Sequence, residues 1–547
     1  MMHEPTPPRT SRSPRLYFLL AANAAAAFWL WQVFTPVEGA QSGRLADGAA
    51  AVDGAARSVD ESARPAVRAE PLPPELRRSL EERVHVLASA ALESARQKSR
   101  GKVGPGNATV AVHVRPLGGN ETDALGLDAD LALKPASNMK LVTTAAALAL
   151  LGPDWSFETR AEAAGPIQDG VLAGDLVLRA AGDPLHDRDA RGGVERLLAP
   201  FCEELARSGI REIRGDLVLD EGTFAAPAPG PAWPSSNEHW QEHCALAAGF
   251  TVNRGCLTVA VSPGAVGGPA RVSVEPAGFD LARTIDVDTV SSGKLEVHFQ
   301  ARDGRFSVRG HVPARTSEWS DSCTHPDPVA LFGAVLSHEL QRHGIRVGGG
   351  IRRERAASGG PTVARIVSPL AGYLAAINTD SNNACADQLF LATALAVRGE
   401  ATRGAGAEAT ARALAALGVS TEGLVQVDGS GLSRDDRISA RQLTALLEAV
   451  LSRDARTAEL FRDSLAVAGE SGTLDDRLKH SEARGRVRAK TGFIGGTSAL
   501  SGLAAAHDGR VYVFSILVDY PRFEGLNTSV WKPMQDDICE LLVGAGS

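Results

Sequence analysis

Hydrophobic and polar positions divide the chain into stretches of different texture, and each texture predicts a different kind of element. Residues 16–34 contain no charged side chain, whereas residues 36–75 mix Ala, Gly and Pro with scattered charges and show no sustained apolar periodicity. The first stretch has about the length that a helix needs to cross a bilayer. The second is predicted to be a flexible tether between that segment and a folded body.

A folded domain is predicted to begin near residue 76. A helix in PELRRSLEERVHVLASAALESARQ and a strand in ATVAVHVRPL come first. An Ala/Leu-rich helix follows within residues 131–155, opened by Pro135 and ended near Gly152. This order is typical of the start of an α/β domain, whose first part we place at residues 76–164.

Short apolar strands punctuated by Gly and Pro replace the helical patterns between residues 165 and 360, which predicts a mainly β insertion. The run GDLVL occurs twice there, which is too little to establish a repeat. Helical patterns return after residue 365, and the chain closes with apparent antiparallel strands joined at Asp508-Gly509 and a last helix. The first domain is therefore predicted to resume over residues 361–547.

The charges around the N-terminal apolar segment predict export of the body. Arg9, Arg12 and Arg15 precede the segment, and positive charge keeps that end of a membrane span in the cytoplasm. A cleaved signal peptide is the alternative, although cleavage after Ala40 would place Glu38 where a small residue is needed. We favour a cytoplasmic tip and anchor within residues 1–35, with a periplasmic body held to the inner membrane by residues 16–34.

Composition narrows the class of protein. Hydrophobic residues make up 44% and charged residues 22%, as in globular domains, and a net charge of -8 argues against a nucleic-acid-binding protein. Exported cysteines can form disulfides, and the spacing leaves their pairing open. Because no CxxC occurs among them, a cysteine zinc cluster is not indicated. The six cysteines are Cys202, Cys244, Cys256, Cys323, Cys385 and Cys539.

Ser137 and Lys140 are the first residues that could carry chemistry. Three positions apart on a helix, they share a face with Cβ atoms about 5–6 Å apart. The chain has 57 basic residues but only eight lysines, and a desolvated lysine can act as a base where an arginine cannot. A serine at a helix start can also simply cap the backbone. The same spacing occurs at Ser99/Lys102 and Ser291/Lys294.

Two further stretches strengthen the catalytic interpretation. One is NTDSNNACADQL, which contains Ser381 and Asn383, and the other is VRAKTGFIGG, which contains Lys490 and Thr491 ahead of apparent strands. Taken alone, the first could be a helix cap or turn, as Ser235 and Asn237 could be, and the second an exposed strand lysine. Their order after the Ser137 helix makes chance a poor explanation.

In that order SNMK, SNN and KTG resemble the SxxK, SxN and KTG motifs of penicillin-binding proteins and class A β-lactamases. The long gap between the first two resembles the class C low-molecular-mass penicillin-binding proteins, the D-Ala-D-Ala carboxypeptidase/endopeptidase family. AAGDPL, DGSGLSRDDRISA and GESGTLDDRL resemble that family too. The resemblance covers about residues 80–540. It implies a transpeptidase/β-lactamase-like α/β (α+β) fold, an antiparallel sheet with helices, interrupted by the insertion.

The resemblance also implies a role for each motif. Ser137 would be the nucleophile and neutral Lys140 its base, with Lys490 keeping Lys140 deprotonated by charge repulsion. Ser381 would pass a proton to the leaving amine, and Asn383 would orient Lys140 and a substrate amide. Backbone N–H groups of Ser137 and Phe493 would form the oxyanion hole. The further substrate-binding residues would be Thr491 and Gly492 of the KTG motif, Asp183 in GDP and Arg434 in LSR.

The implied activity is that of a serine DD-peptidase acting on peptidoglycan stem peptides, as a carboxypeptidase, an endopeptidase or both. No metal or organic cofactor is needed. Since no deacylating glutamate of the class A type is apparent, β-lactams are expected to inhibit. A serine β-lactamase or esterase on the same scaffold is one alternative, and a catalytically silent cell-wall binding protein is another.

A zinc peptidase is the remaining alternative. The run EHWQEHC contains His239, Glu242 and His243 with the spacing of an inverzincin site. On one helix these side chains would share a face, but no third ligand is apparent downstream. A Ser-His-Asp hydrolase is not indicated, because DGSGLS does not match the GxSxG elbow.

Overall fold

The computed structural model describes residues 71–187, 193–357 and 360–546. The predicted anchor and nearly all of the predicted tether lie outside these residues. Within the described ranges, no helix has the length and apolar character that crossing a membrane would require.

The described residues form runs of strands and runs of helices. In chain order the strands are β1 (Thr109–Pro116), β2 (Leu125–Leu127), β3 (Ser156–Ala164), β4 (Ile167–Gln168), β5 (Val171–Leu172), β6 (Asp175–Arg179), β7 (Glu212–Ile213), β8 (Leu217–Asp220), β9 (Cys256–Ser262), β10 (Arg271–Glu275), β11 (Ala282–Val290), β12 (Glu296–Arg302), β13 (Arg305–Pro313), β14 (Trp319–Thr324), β15 (Arg346–Val347), β16 (Ile351–Arg353), β17 (Thr362–Pro369), β18 (Ala466–Val467), β19 (Val487–Ile494), β20 (Thr497–Ala505) and β21 (Val511–Asp519). The α-helices are α1 (Pro74–Lys98), α2 (Met139–Leu151), α3 (Val194–Arg207), α4 (Pro328–Arg342), α5 (Ala371–Asn378), α6 (Asn383–Arg398), α7 (Arg403–Ala416), α8 (Ala440–Leu451), α9 (Ala455–Asp463) and α10 (Lys532–Val543).

A six-stranded antiparallel sheet forms the centre of the first domain, in the order β18-β19-β20-β21-β1-β2. Helices cover both of its faces, so β20 is buried at every position and β21 at every position but its last. Helices α1 and α10 pack on one face, and α2 with α5 to α9 pack on the other. The predicted C-terminal strands and last helix are therefore present.

Helix α2 lies inside the helical layer and is buried from Met139 to Leu148. A helix that is apolar all round, without one solvent face, is expected to be surrounded by other elements. Burial of this helix places the Lys140 side chain, which is fully shielded from solvent, in the domain interior.

The inserted region is a separate body of β-structure with its own hydrophobic core. It contains a five-stranded sheet (β16-β8-β6-β3-β17), a four-stranded sheet (β15-β7-β5-β4) and two three-stranded sheets (β10-β9-β14 and β11-β13-β12). The two GDLVL runs form β6 and β8, which pair in parallel with Leu176 opposite Leu217. The repeated letters are thus two neighbouring strands of one sheet.

The inserted sheets extend beyond residues 165 and 360 at both ends. Strand β3 begins at Ser156, soon after α2, and pairs with β6 and with β17, which ends at Pro369. The side chains of β3 alternate between buried and accessible positions, so the strand is amphipathic and belongs to this sheet. The predicted boundary at residue 165 is therefore too late. The sequence has a helix-end signal at Gly152 but no separate turn signal at residue 156, where the inserted sheet begins.

Candidate active site

The predicted nucleophile occupies a strained turn at the start of helix α2. Ser137 is half-buried in a 3-10 turn, Ala136–Asn138, and Ala136 adopts a positive φ of 46°. Left-handed backbone at a residue other than glycine costs energy and persists only where its surroundings enforce it. No side-chain hydrogen bond caps the helix, so the capping explanation for Ser137 does not hold.

The Lys140 amine makes three contacts. Its Nζ lies 3.0 Å from Ser137 Oγ, 2.6 Å from Asn383 Oδ1 and 2.6 Å from the backbone oxygen of Ser430. A neutral amine has two N–H groups and one lone pair. Because the two carbonyl oxygens can only accept, they take both N–H groups, and the lone pair is directed at the Ser137 hydroxyl.

Burial lowers the pKa of Lys140 to about 8, although the charges of Asp387, Asp428 and Asp436 oppose this shift. Burial also lowers the pKa of Lys490 well below its ordinary value, and the charge of Lys140 lowers it further. The sequence predicted that repulsion by Lys490 keeps Lys140 neutral. In the structure desolvation is the first cause of both pKa shifts, and the repulsion between the two amines lowers the pKa of Lys490 rather than that of Lys140.

A pH dependence of acylation follows from this pKa. Only the neutral amine can accept the Ser137 proton, so the acylation rate should fall about tenfold for each pH unit below the Lys140 pKa of about 8. The measurement is the second-order rate constant for labelling by a fluorescent penicillin between pH 6 and pH 9, with the melting temperature recorded at each pH. A flat profile between pH 6 and pH 8 in a folded protein would contradict Lys140 as the base.

The DGSGLS loop holds the Ser430 carbonyl that contacts Lys140, a role that the sequence did not reveal. The Asp428 carboxylate accepts from the backbone N–H groups of Gly431 (2.7 Å) and Ser433 (2.8 Å) and from Trp233 Nε1 (2.8 Å). Burial and the neighbouring Asp428 raise the pKa of the Asp387 carboxyl to about 8. The loop that holds the Ser430 carbonyl against Lys140 is therefore fixed by buried hydrogen bonds.

The SNN motif places Asn383 opposite Lys140. Asn382 caps helix α6 by accepting from the Cys385 N–H at 2.9 Å, so one residue of the motif does have the capping role. Ser381 takes a positive φ of 63° and borders a cavity of about 420 Å³ with Asn382 and Asn383. Asn383 Nδ2 donates one of its two N–H groups to the backbone oxygen of His243 at 2.7 Å, and its role in orienting a substrate amide stays a prediction.

The KTG motif lies on β19 beside the nucleophile turn. Asn138 Nδ2 donates to the Lys490 backbone oxygen at 3.0 Å, which ties the turn to the strand. Gly492 is required there, because a Cβ would come within 2.8 Å of the Pro135 oxygen. Thr491 Oγ1 donates to Thr473 Oγ1 at 2.9 Å. Lys490 Nζ donates to the Thr491 backbone oxygen at 2.9 Å.

Among the described residues, three further predicted ones, Asp183, Arg434 and Phe493, make no hydrogen bond with Ser137 or Lys140. Asp183 is buried and accepts from the Leu185 N–H at 2.9 Å and the Tyr373 hydroxyl at 2.6 Å. Arg434 Nη1 donates to the Gly495 oxygen at 2.7 Å, on the turn that follows β19. Phe493 is 58% exposed on β19. Arg434 and Phe493 thus flank the KTG edge, and Asp183 lies at the junction with the insertion.

The HxxEH run does not form one helical face. His239 follows the short 3-10 turn Ser236–Glu238, whereas Glu242 and His243 lie in a second one, Glu242–Cys244. Glu242 pairs with Arg254 at 3.2 Å, and His239 Nε2 contacts the Pro234 oxygen at 2.8 Å. In the parts of the chain that the structure describes, no three His, Cys, Asp or Glu side chains are grouped to hold a metal ion. The six cysteines are free and buried.

An antiparallel sheet flanked by helices, with a buried lysine against a serine and a KTG edge strand, defines an active-site serine enzyme of the penicillin-binding class. The chain belongs to the D-Ala-D-Ala carboxypeptidase 3 (S13) family, whose model matches residues 100–541. The predicted family and the predicted activity of a serine D-Ala-D-Ala carboxypeptidase are thereby confirmed.

Individual relatives agree with this assignment. The D-alanyl-D-alanine carboxypeptidase of Actinomadura sp. (strain R39) is 33% identical over 410 residues, covering 70% of this chain and 73% of the relative. D-alanyl-D-alanine carboxypeptidase DacB of Haemophilus influenzae is 27% identical over 391 residues, covering 69% and 79%. The crystal structure of penicillin binding protein 4 (dacB) from Haemophilus influenzae shares the fold, with a TM-score of 0.66 at 24% identity, covering 84% of this chain and 97% of that one.

Proposed function

We propose that this chain cleaves D-Ala-D-Ala through an acyl-enzyme on Ser137, with Lys140 as the general base. The observation that carries the proposal is the 3.0 Å contact between Lys140 Nζ and Ser137 Oγ, in an amine whose other two contacts are with carbonyl oxygens. A weak hydroxyl nucleophile needs an adjacent base of this kind.

The reaction then divides into two steps. Ser137 Oγ bonds to the carbonyl carbon of the penultimate D-Ala while Lys140 takes the hydroxyl proton. The C–N bond breaks, and the leaving D-Ala nitrogen receives a proton, with Ser381 as the proposed relay. Water subsequently attacks the ester and regenerates Ser137. Backbone N–H groups of Ser137 and Phe493 are the proposed donors to the oxyanion, each worth about 2.7–4 kcal/mol in such a site.

The KTG edge is the proposed site for the substrate's terminal carboxylate. Thr491, Thr473 and Lys490 supply hydroxyl and amine donors along one side of the site. A carboxylate arriving beside Lys490 favours the charged form of that amine, which opposes the effect of its burial. The charge needed for recognition would therefore appear when the substrate binds.

Peptidoglycan stem peptides are the proposed substrates, with D-Ala cross-links as a second class, and β-lactams are the proposed inhibitors. One crystal structure of the Haemophilus influenzae protein is a complex with a β-lactam. We place the enzyme in the periplasm, anchored by residues 16–34, because peptidoglycan lies outside the cytoplasm. Deletion of residues 16–34 should move the chain out of the membrane fraction, and unchanged fractionation would contradict the anchor.

Labelling of the full-length chain in detergent tests the activity. A fluorescent penicillin should label the wild type stably, and a pentapeptide ending in D-Ala-D-Ala should release D-Ala. Both results should be lost in Ser137→Ala. They should be retained in Ser291→Ala, a matched control that alters the exposed serine of the Ser291/Lys294 pair.

Each alternative gives a different outcome in the same experiment. Rapid loss of the label would indicate a β-lactamase. Stable labelling without release of D-Ala would indicate a binding protein without peptidase activity. Peptidase activity that survives Ser137→Ala and is lost with a chelator would indicate zinc catalysis.

A further inference from the structure

The amide of Asn383 is held in one orientation by the inserted region. Its Oδ1 accepts from Lys140 Nζ at 2.6 Å, and its Nδ2 donates to the His243 backbone oxygen at 2.7 Å. The two ends of an amide are chemically different, one accepting and the other donating. A flipped amide would set oxygen against the His243 oxygen, so that bond would be lost, and it would turn Lys140 from donor into acceptor.

The orientation matters because it determines where the Lys140 lone pair points. With Asn383 Oδ1 and the Ser430 oxygen as acceptors, both N–H groups of neutral Lys140 are engaged and the lone pair faces Ser137. If Asn383 instead presented its N–H groups, the lone pair of Lys140 would accept from Asn383. Ser137 would then face an amine that is already occupied as an acceptor.

The short turn that carries the His243 oxygen is joined to the rest of the insertion by an ion pair. His243 lies in the 3-10 turn Glu242–Cys244, and Glu242 Oε1 lies 3.2 Å from Arg254 Nε and 3.5 Å from Asn382 Nδ2. The same carboxylate therefore connects the turn with the residue that caps helix α6, one position before Asn383.

Arg254 is well placed to be a rigid support. Its side chain is only 12% exposed and its backbone has a positive φ of 53°. Its Nη2 donates to Ser322 Oγ at 3.2 Å, and its Nη1 lies 3.0 Å from His186 Nε2. A planar guanidinium with several fixed partners loses little freedom when it binds a carboxylate, and a lysine reproduces only part of that geometry.

We propose that Arg254 and Glu242 are positioning residues for acylation. They hold the His243 carbonyl where it fixes the Asn383 amide, and the amide in turn directs the lone pair of Lys140 at Ser137. The inserted region thereby completes the base. This inference rests on the proposed function, because it assigns these residues to acylation of Ser137.

A double-mutant cycle on the full-length chain tests the inference. Arg254→Met, Glu242→Gln and the double variant are compared for the acylation rate constant and the noncovalent dissociation constant of a fluorescent penicillin. Each single variant should lower the acylation rate about tenfold or more, since small displacements of reacting groups can cost up to about a hundredfold. The double variant should lose no more than the worse single variant, because both substitutions break one ion pair.

Further readouts separate positioning from a general loss of structure. The dissociation constant should stay within about twofold of the wild type, and Arg254→Lys should recover part of the acylation rate. Arg346→Met is the matched control, since it breaks the exposed pair with Glu212 elsewhere in the insertion and should acylate normally. Melting temperatures check folding. If Arg254→Met does not fold, the acylation rate and dissociation constant of Glu242→Gln alone test the inference.

Three outcomes would overturn the inference: wild-type acylation in both single variants, additive losses in the double variant, or weaker binding without slower acylation. Failure of the proposed function gives a different result, because the wild type itself would then lack labelling that depends on Ser137.

Discussion

Replacing Lys140 by arginine should lower the acylation rate by about 10³-fold or more, which is in the range that a positioned general base contributes. A guanidinium stays protonated at any accessible pH, so the positive charge would be kept while the lone pair that faces Ser137 would be lost. The measurement is stopped-flow labelling with a fluorescent penicillin, with mass spectrometry of the intact chain to detect any acyl-enzyme.

Two further variants make that result interpretable. Lys140→Met removes the amine without adding bulk to a fully buried position and should be equally slow. It should also lose some stability, since the oxygens of Asn383 and Ser430 would lack their donor, at about 1–3 kcal/mol for each unsatisfied group. Lys294→Arg alters the exposed lysine of the Ser291/Lys294 pair, which has the same spacing, and should behave as the wild type. Acylation by Lys140→Arg within tenfold of the wild type would show that another group is the base.

The contact between Ser137 and Lys140 could be predicted from sequence because it is local. Residues three apart at a helix start must lie close together, whatever else the chain does. The scarcity of lysine drew attention to Lys140, and the order of the three motifs indicated that Asn383 and the KTG strand would join them. The structure brings the Asn383 side chain to the Lys140 amine and the backbone of the KTG strand to Asn138, at the same helix start.

The parts that escaped prediction depend on long-range contacts. The hydrogen bond from Asn383 to the His243 oxygen joins residues 140 positions apart, and the bond from Trp233 to Asp428 spans 195 positions. No periodicity or spacing reports such pairs. The HxxEH run shows the converse difficulty, since its spacing fits a zinc site on a helix. In the structure only Glu242 and His243 share a short turn, and Glu242 pairs with an arginine.

Replacing Gly431 by alanine should disrupt both the stability of the protein and its nucleophile. Gly431 has a φ of 78°, and an added Cβ would lie 1.9 Å from the Ala136 oxygen and 2.5 Å from its carbonyl carbon. These are backbone atoms, so no side-chain rotation can relieve the clash. The Ala136 carbonyl immediately precedes Ser137, and Gly431 follows the Ser430 carbonyl that contacts Lys140. We expect a loss of about 3 kcal/mol or more in unfolding free energy, and acylation slowed about a hundredfold.

Gly418→Ala isolates the effect of the clash. Gly418 has a nearly equal φ of 73°, but no atom lies within 4 Å of the Cβ position, so the substitution adds backbone strain alone. That strain should cost about 1–2 kcal/mol and leave acylation unchanged. The comparison of chemical denaturation and labelling rates for the two variants therefore separates strain from displacement. If Gly431→Ala acylated as fast as Gly418→Ala, the DGSGLS loop would not fix the position of Ser137, and the base geometry would have to be maintained from the Asn383 side alone.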